Sequence, residues 1–125
     1  MYEITVTRDF SSAHYLHDYE GKCANLHGHN WKVAISFRGK ELARNGILID
    51  FLDIGKALDG LLEKLDHGVI NEIPPFDVMN PTAENLARWF HAEVSQKLPP
   101  GAPQPHRVTV WETPDASASF WEDEP

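Results

Sequence analysis

Apolar residues in this chain recur at every second position near both ends and at helical spacing between them, and that change of period fixes the class of fold. Tyr2, Ile4 and Val6 share one parity against Glu3, Thr5 and Thr7, the pattern of a half-buried strand. Trp31, Val33, Ile35 and Phe37 repeat it against Lys32, Ser36 and Arg38. Residues 11–26, with Ser11, Ser12, Asp18, Gly21 and Asn25, hold no clean period and read as a loop. Then Ile54, Leu58, Leu61, Leu62 and Leu65 fall on one helical stripe, and Ala83, Leu86, Ala87, Phe90, Val94 and Leu98 on another. Asp53 stands where the first helix is expected to be N-capped. Asn80-Pro81 is expected to open the second, with proline in its first turn, and Pro99-Pro100 stops it. Val108, Val110 and Glu112 share a last strand parity, Thr113-Pro114-Asp115 reads as a turn, and 117–122 as a closing strand. The order ββααββ predicts an α+β domain, two helices on one face of a four-stranded antiparallel sheet.

A chain of 125 residues suits one domain, here taken as 1–125, with a modest core. No apolar run approaches the ~18 residues of a membrane span. The N-terminus alternates and carries acids, unlike a signal peptide. A lone cysteine, Cys23, excludes an internal disulfide and suits a reducing compartment, so the cytoplasm is expected. A net charge of −8 argues against nucleic acid and anionic membrane as partners.

Three of the seven histidines are placed suggestively. His27 and His29 flank Gly28 at the head of the second strand, on the parity that runs into Trp31, Val33 and Ile35, so two imidazoles extend an apolar row. His14 or His17 offers a third nitrogen, and spacing does not separate them. Three histidines without a fourth protein ligand is the pattern of a catalytic zinc site with an open position, although His-x-His is also common in polar loops. Cys23, four residues before His27, reads either as a small buried hydrophobe or, beside a metal cation and Lys22, as a thiolate able to accept a proton. Asp66-His67 is either a helix terminus capped by Gly68 or an acid–base pair. Glu112 ends an apolar strand row. Such a carboxylate either reaches solvent or accepts two N–H donors of a flat heterocycle.

Taken together, these residues stand in a familiar order. Cys23-Ala24-Asn25-Leu26-His27-Gly28-His29 has the form CxxxHGH, downstream of Phe10-Ser11-Ser12-Ala13-His14. Ile49-Asp50-Phe51, Leu65-Asp66-His67, Asn71, Asn80-Pro81-Thr82-Ala83-Glu84-Asn85 and Val110-Trp111-Glu112-Thr113 follow. The chain resembles the 6-pyruvoyltetrahydropterin synthase family over nearly its whole length. The three-residue spacer between Cys23 and His27 is similar to the 6-carboxytetrahydropterin synthase branch, which acts in queuosine and deazapurine biosynthesis; the biopterin branch typically has a spacer of five.

The resemblance implies the tunnelling fold, in which sheets of several subunits close a barrel with sites at their interfaces, and hence a homo-oligomer, expected to be a homohexamer. It implies zinc held by His14, His27 and His29, with His17 outside. It implies Cys23 as general base or acid with Asp66 and His67 as relay partners, and Glu112 as the pterin anchor helped by Thr82 and Glu84. The implied reaction takes 7,8-dihydroneopterin triphosphate to 6-carboxytetrahydropterin, releasing triphosphate and acetaldehyde. Two alternatives stand beside it: 6-pyruvoyltetrahydropterin synthase activity, without side-chain cleavage, and a non-enzymatic zinc-stabilised binding module. A zinc hydrolase is a weaker reading, since the chain has no HExxH. Two positions depart from the family pattern. Tyr15 follows His14 where a basic residue is often found, which removes one phosphate contact. Ile70 precedes Asn71 where leucine is more usual.

Overall fold

The computed structural model describes residues 1–123. Its strands are β1 (Tyr2–His14), β2 (His27–Gly39), β3 (Gly68–Val69), β4 (Arg107–Thr113) and β5 (Ala116–Phe120), and its helices α1 (Phe51–Leu65) and α2 (Ala83–Lys97). Short 3-10 turns lie at Lys22–Ala24 and Ile70–Glu72. The sheet runs β3-β1-β2-β4-β5 and is antiparallel except for the β1–β3 pair.

The fold is the expected α+β sheet-and-two-helix layer, with five strands instead of four. The added strand, β3, is two residues long and pairs in parallel with Ser12 and Ala13. It exists because β1 continues through Ser11–His14, where a loop was expected. Burial still alternates there, Ser12 and His14 being buried, but the buried positions carry polar side chains and the hydrophobic signal disappears.

One face of the sheet is apolar. Register pairs Val6 with Ile35 and Phe10 with Trp31, and Val110 with Val33 and Val108 with Ile35. α1 lies against β1, and α2 against β4 and β5. Phe10 meets Phe90 of α2 with ring centroids 6.0 Å apart.

Three helix ends differ from the sequence reading. Asp50, not Asp53, caps α1, its carboxylate accepting from Leu52 N at 2.9 Å; Asp53 lies in the first turn. Thr82 caps α2 by accepting from Asn85 N, so Pro81 stands outside the helix and not in its first turn. After α1 the left-handed residue is His67, at φ 59°, and not Gly68. Among the described residues, no helix is long and apolar enough to cross a membrane.

Candidate metal centre

Antiparallel pairing sets His14 opposite His27 and Ser12 opposite His29. The apolar row Phe37, Ile35, Val33, Trp31 therefore continues past the end of the core as imidazoles. Glu112 follows two residues after Val110 on β4 and arrives at the same end of the same face. One ligand atom from each of His14, His27, His29 and Glu112 lies within 4.8 Å of all the others. Trp31, 1% exposed, floors the group, its ring standing edge-on to His14 and His29 at centroid distances of 4.8 and 5.3 Å.

Hydrogen bonding fixes what two of these rings can offer. His14 Nδ1 lies 2.8 Å from the carbonyl of Pro81, and His27 Nδ1 lies 2.7 Å from that of Asn25. A carbonyl only accepts, so Nδ1 carries the hydrogen and Nε2 presents a lone pair. The Nε2 atoms of His14, His27 and His29 are all buried without a hydrogen-bond partner. Glu112 Oε1 sits 3.1 Å from His14 Nε2 and 3.5 Å from His29 Nε2. Those distances suit an ion pair, yet neutral His14, with its hydrogen on Nδ1, turns a lone pair toward the carboxylate. A cation among them converts that repulsion into attraction. A proton is a poor choice: burial pushes His14 and His29 below their ordinary range, with His27 adding to it, against the opposing pulls of Glu112 on both and of the Pro81 carbonyl on His14. A divalent metal that accepts nitrogen and carboxylate donors fits, and His14, His27 and His29 with Glu112 form a cluster able to hold one.

Asp66 and His67 form a pair, with Asp66 Oδ2 2.9 Å from His67 Nδ1. Asp66 Oδ1 accepts from Ser11 N at 2.8 Å, and this bond, followed by the one from His67, holds its carboxyl below the usual carboxylate range. His67 and His29 share the lining of an open hollow of about 400 Å³ with Ser11, Gly28 and Asn30.

The remaining candidates stand elsewhere. Cys23 is half-buried on the 3-10 turn before β2, and its carbonyl accepts from Leu16 N. Among the described residues no hydrogen bond joins it to Asp66 or His67. Thr82 has its hydroxyl oxygen engaged in the α2 cap, and Glu84 is exposed in the first turn of that helix. His17 is exposed and outside the cluster, its ring against Tyr15. The orienting carbonyls of Pro81 and Asn25 went unforeseen, since a backbone group leaves no mark on the sequence. Trp31 as the floor was readable from its parity with His27 and His29. Glu112, expected at the site as a pterin anchor, stands within ligand distance of the three histidines.

The site is thus an α+β domain's candidate metal centre, three histidines from β1 and β2 and a carboxylate from β4 gathered at one end of the sheet. Residues 3–123 match the family model described as 6-pyruvoyl tetrahydropterin synthase, and the chain belongs to that family. It is 32% identical, over 90% of its length and 87% of the relative's, to 6-carboxy-5,6,7,8-tetrahydropterin synthase of Synechocystis sp.. It is 34% identical to dihydroneopterin monophosphate aldolase of Pyrococcus furiosus, over 70% of each chain. Among solved structures, 6-pyruvoyl tetrahydropterin synthase of Caenorhabditis elegans superimposes with a TM-score of 0.83 over 98% of both chains at 26% identity.

Proposed function

We propose that the chain is a cytoplasmic, zinc-dependent 6-carboxy-5,6,7,8-tetrahydropterin synthase of queuosine and deazapurine biosynthesis. It converts 7,8-dihydroneopterin triphosphate with release of triphosphate and acetaldehyde. The observation that carries the reading is the convergence of three buried Nε2 atoms, two with their tautomer fixed, beside a carboxylate. The Synechocystis relative and the three-residue spacer after Cys23 support the choice of product.

In this reading His14, His27 and His29 hold zinc, which supplies Lewis acidity that eases removal of protons from the substrate's side chain. Glu112 accepts the paired N–H donors of the pterin ring, with Thr82 and Glu84 at its margin. Cys23 as thiolate takes a proton, and His67 returns one. Asp66 orients His67 and stabilises its cationic form, a role suited to a carboxylate kept charged by the Ser11 N–H. Among the described residues no hydrogen bond joins Cys23 to His67 within the chain, and a relay between two copies of a homohexamer is part of the proposal.

The test is to incubate zinc-loaded protein with 7,8-dihydroneopterin triphosphate, assay acetaldehyde and identify the pterin. Acetaldehyde with a 6-carboxy pterin is the expected result; a 6-pyruvoyl product without acetaldehyde overturns it. A second reading has its own support in the Pyrococcus furiosus relative and in Tyr15 where the family often places a base. On that reading the chain is an aldolase, and the released two-carbon fragment keeps its phosphate. Cys23→Ala is expected to abolish turnover while leaving bound zinc unchanged by metal analysis. Near-normal turnover in that variant removes the thiolate from the mechanism.

A further inference from the structure

The chain that leaves His14 is strapped down by two asparagine side chains. Asn71 Oδ1 accepts from Tyr15 N at 3.0 Å, and its Nδ2 donates to Tyr15 O at 2.9 Å. Asn80 does the same two residues on, accepting from His17 N at 2.7 Å and donating to His17 O at 2.8 Å. A primary amide presents one acceptor and two donors, so each asparagine stands in for the neighbouring strand that this segment lacks.

Asn80 is also tied on its other side. Its main-chain oxygen accepts from Thr82 N and from Asn85 Nδ2, both at 2.9 Å, which fastens it to the start of α2. The next residue, Pro81, supplies the carbonyl that bonds His14 Nδ1. One residue thus joins the segment carrying His14 to the group that orients its ring.

His14 has particular need of such support. His27 takes its orienting carbonyl from Asn25, two residues away, so local geometry keeps that bond. The partner of His14 lies 67 residues away, and only tertiary contacts keep it in reach.

We infer that Asn80 is a positioning residue for His14, holding the Pro81 carbonyl and the segment from His14 to His17 in one frame, with Asn71 fastening the same segment one step earlier. The inference rests on the zinc-site reading above. It goes beyond that reading in assigning work to a residue that touches neither metal nor substrate.

The test titrates chelator-treated protein with Co2+, following the ligand-field absorption, and then displaces it with Zn2+. Loss of an outer partner of a metal-binding histidine typically costs about 10- to 100-fold in affinity. Asn80→Ala is expected to weaken zinc binding by that order and to alter the Co2+ band, while the metal-free protein melts close to wild type. The same change placed on His14→Ala is expected to cost nothing further, because the ring it positions is gone. An Asn80→Ala protein that binds both metals like wild type overturns the inference alone, as does an equal loss in the two backgrounds. A wild-type chain that takes up neither metal overturns the zinc reading and the inference together. Should Asn80→Ala fail to fold, Asn80→Asp keeps the acceptor for His17 N and loses the donor. It is expected to show a smaller loss in the same direction, and unchanged affinity there is equally fatal.

Discussion

Glu112 has two uses open to it, and a single isosteric change separates them. Its carboxylate oxygen approaches His14 and His29, close enough to join a cluster able to hold a metal, and in the proposed reading it receives the pterin ring instead. Glu112→Gln keeps the shape and an acceptor oxygen while removing the charge. Hydrogen bonds to a charged group contribute about 1.5–3 kcal/mol, so a pterin anchored there is expected to bind roughly 10- to 100-fold more weakly in this variant. Calorimetry with an unreactive pterin measures this, with zinc content unchanged. Loss of zinc instead makes Glu112 a fourth ligand and closes the position the substrate needs. Asp66 carries a different signature, in pH. Its ionised form is favoured in the folded chain by the Ser11 N–H and then by His67, which places its folded pKa below the ordinary 3.8. Between the two values the unfolded chain binds more protons, so the contribution is complete above the unfolded value and is lost as pH falls through the folded one. The urea midpoint of wild type is expected to exceed that of Asp66→Asn at neutral pH, and the gap to close below about pH 3.8. A gap that persists in stronger acid removes the ionised carboxylate as its source. The exposed pair is screened by solvent and salt, so the gap also narrows at high ionic strength.

At the scale of elements, the site depends on where strands and helices begin and end, and those limits were the least legible feature of the sequence. The stripes of α1 and α2 and the parity of β2 and β4 could be read directly, and with them the shared face of His27, His29 and Trp31. The end of β1 could not. Ser11, Ser12, Ala13 and His14 continue the strand, but buried serine and histidine answer to partners such as the Leu65 and Pro81 carbonyls, which only the folded chain supplies. Spacing therefore left His14 and His17 equivalent. The structure separates them, since His14 is the last residue paired to β2 while His17 is exposed beyond it. The α1 cap shows the same limit. Asp50 and Asp53 are both plausible by composition, and only Asp50 accepts from a helix N–H. Asp50→Ala is expected to cost about 1 kcal/mol in denaturant unfolding, and Asp53→Ala a few tenths through the helix dipole. The reverse order contradicts the observed cap. Neither change is expected to alter zinc affinity, because neither residue belongs to the cluster of His14, His27, His29 and Glu112.

At the scale of the whole molecule, two open sheet edges bear on how the chain is used. β1 is paired on its outer side only at Ser12 and Ala13, and β5 closes the other edge alone. Phe51 and Leu52, 59% and 71% exposed, line a groove with Thr5, Val6 and Thr7 of β1. Unpaired edges invite strand pairing with another chain, in keeping with a homo-oligomer; for the proposed homohexamer light scattering is expected to give six times the chain mass, and any other mass contradicts it. Metal and stability, however, are separable in this architecture. The core of Val33, Ile35, Phe37, Leu58, Leu61, Phe90 and Val108 is fully buried and lies on the core side of Trp31, away from the imidazoles. A metal at the far end adds to a domain that already has its own apolar interior. Binding to the folded state alone stabilises by RT ln(1 + [L]/Kd), about 2.7 kcal/mol at a hundredfold excess over Kd, which is roughly 10 °C in melting temperature for a domain of this size. Chelation is therefore expected to lower the melting temperature by that order while the far-ultraviolet circular dichroism and a single cooperative transition persist. A zinc-stabilised binding module behaves otherwise, because its metal supplies the folding free energy itself. Collapse of the helical signal on adding chelator at room temperature identifies that case, and it removes the ground for reading the centre as a catalytic site built on an independent fold.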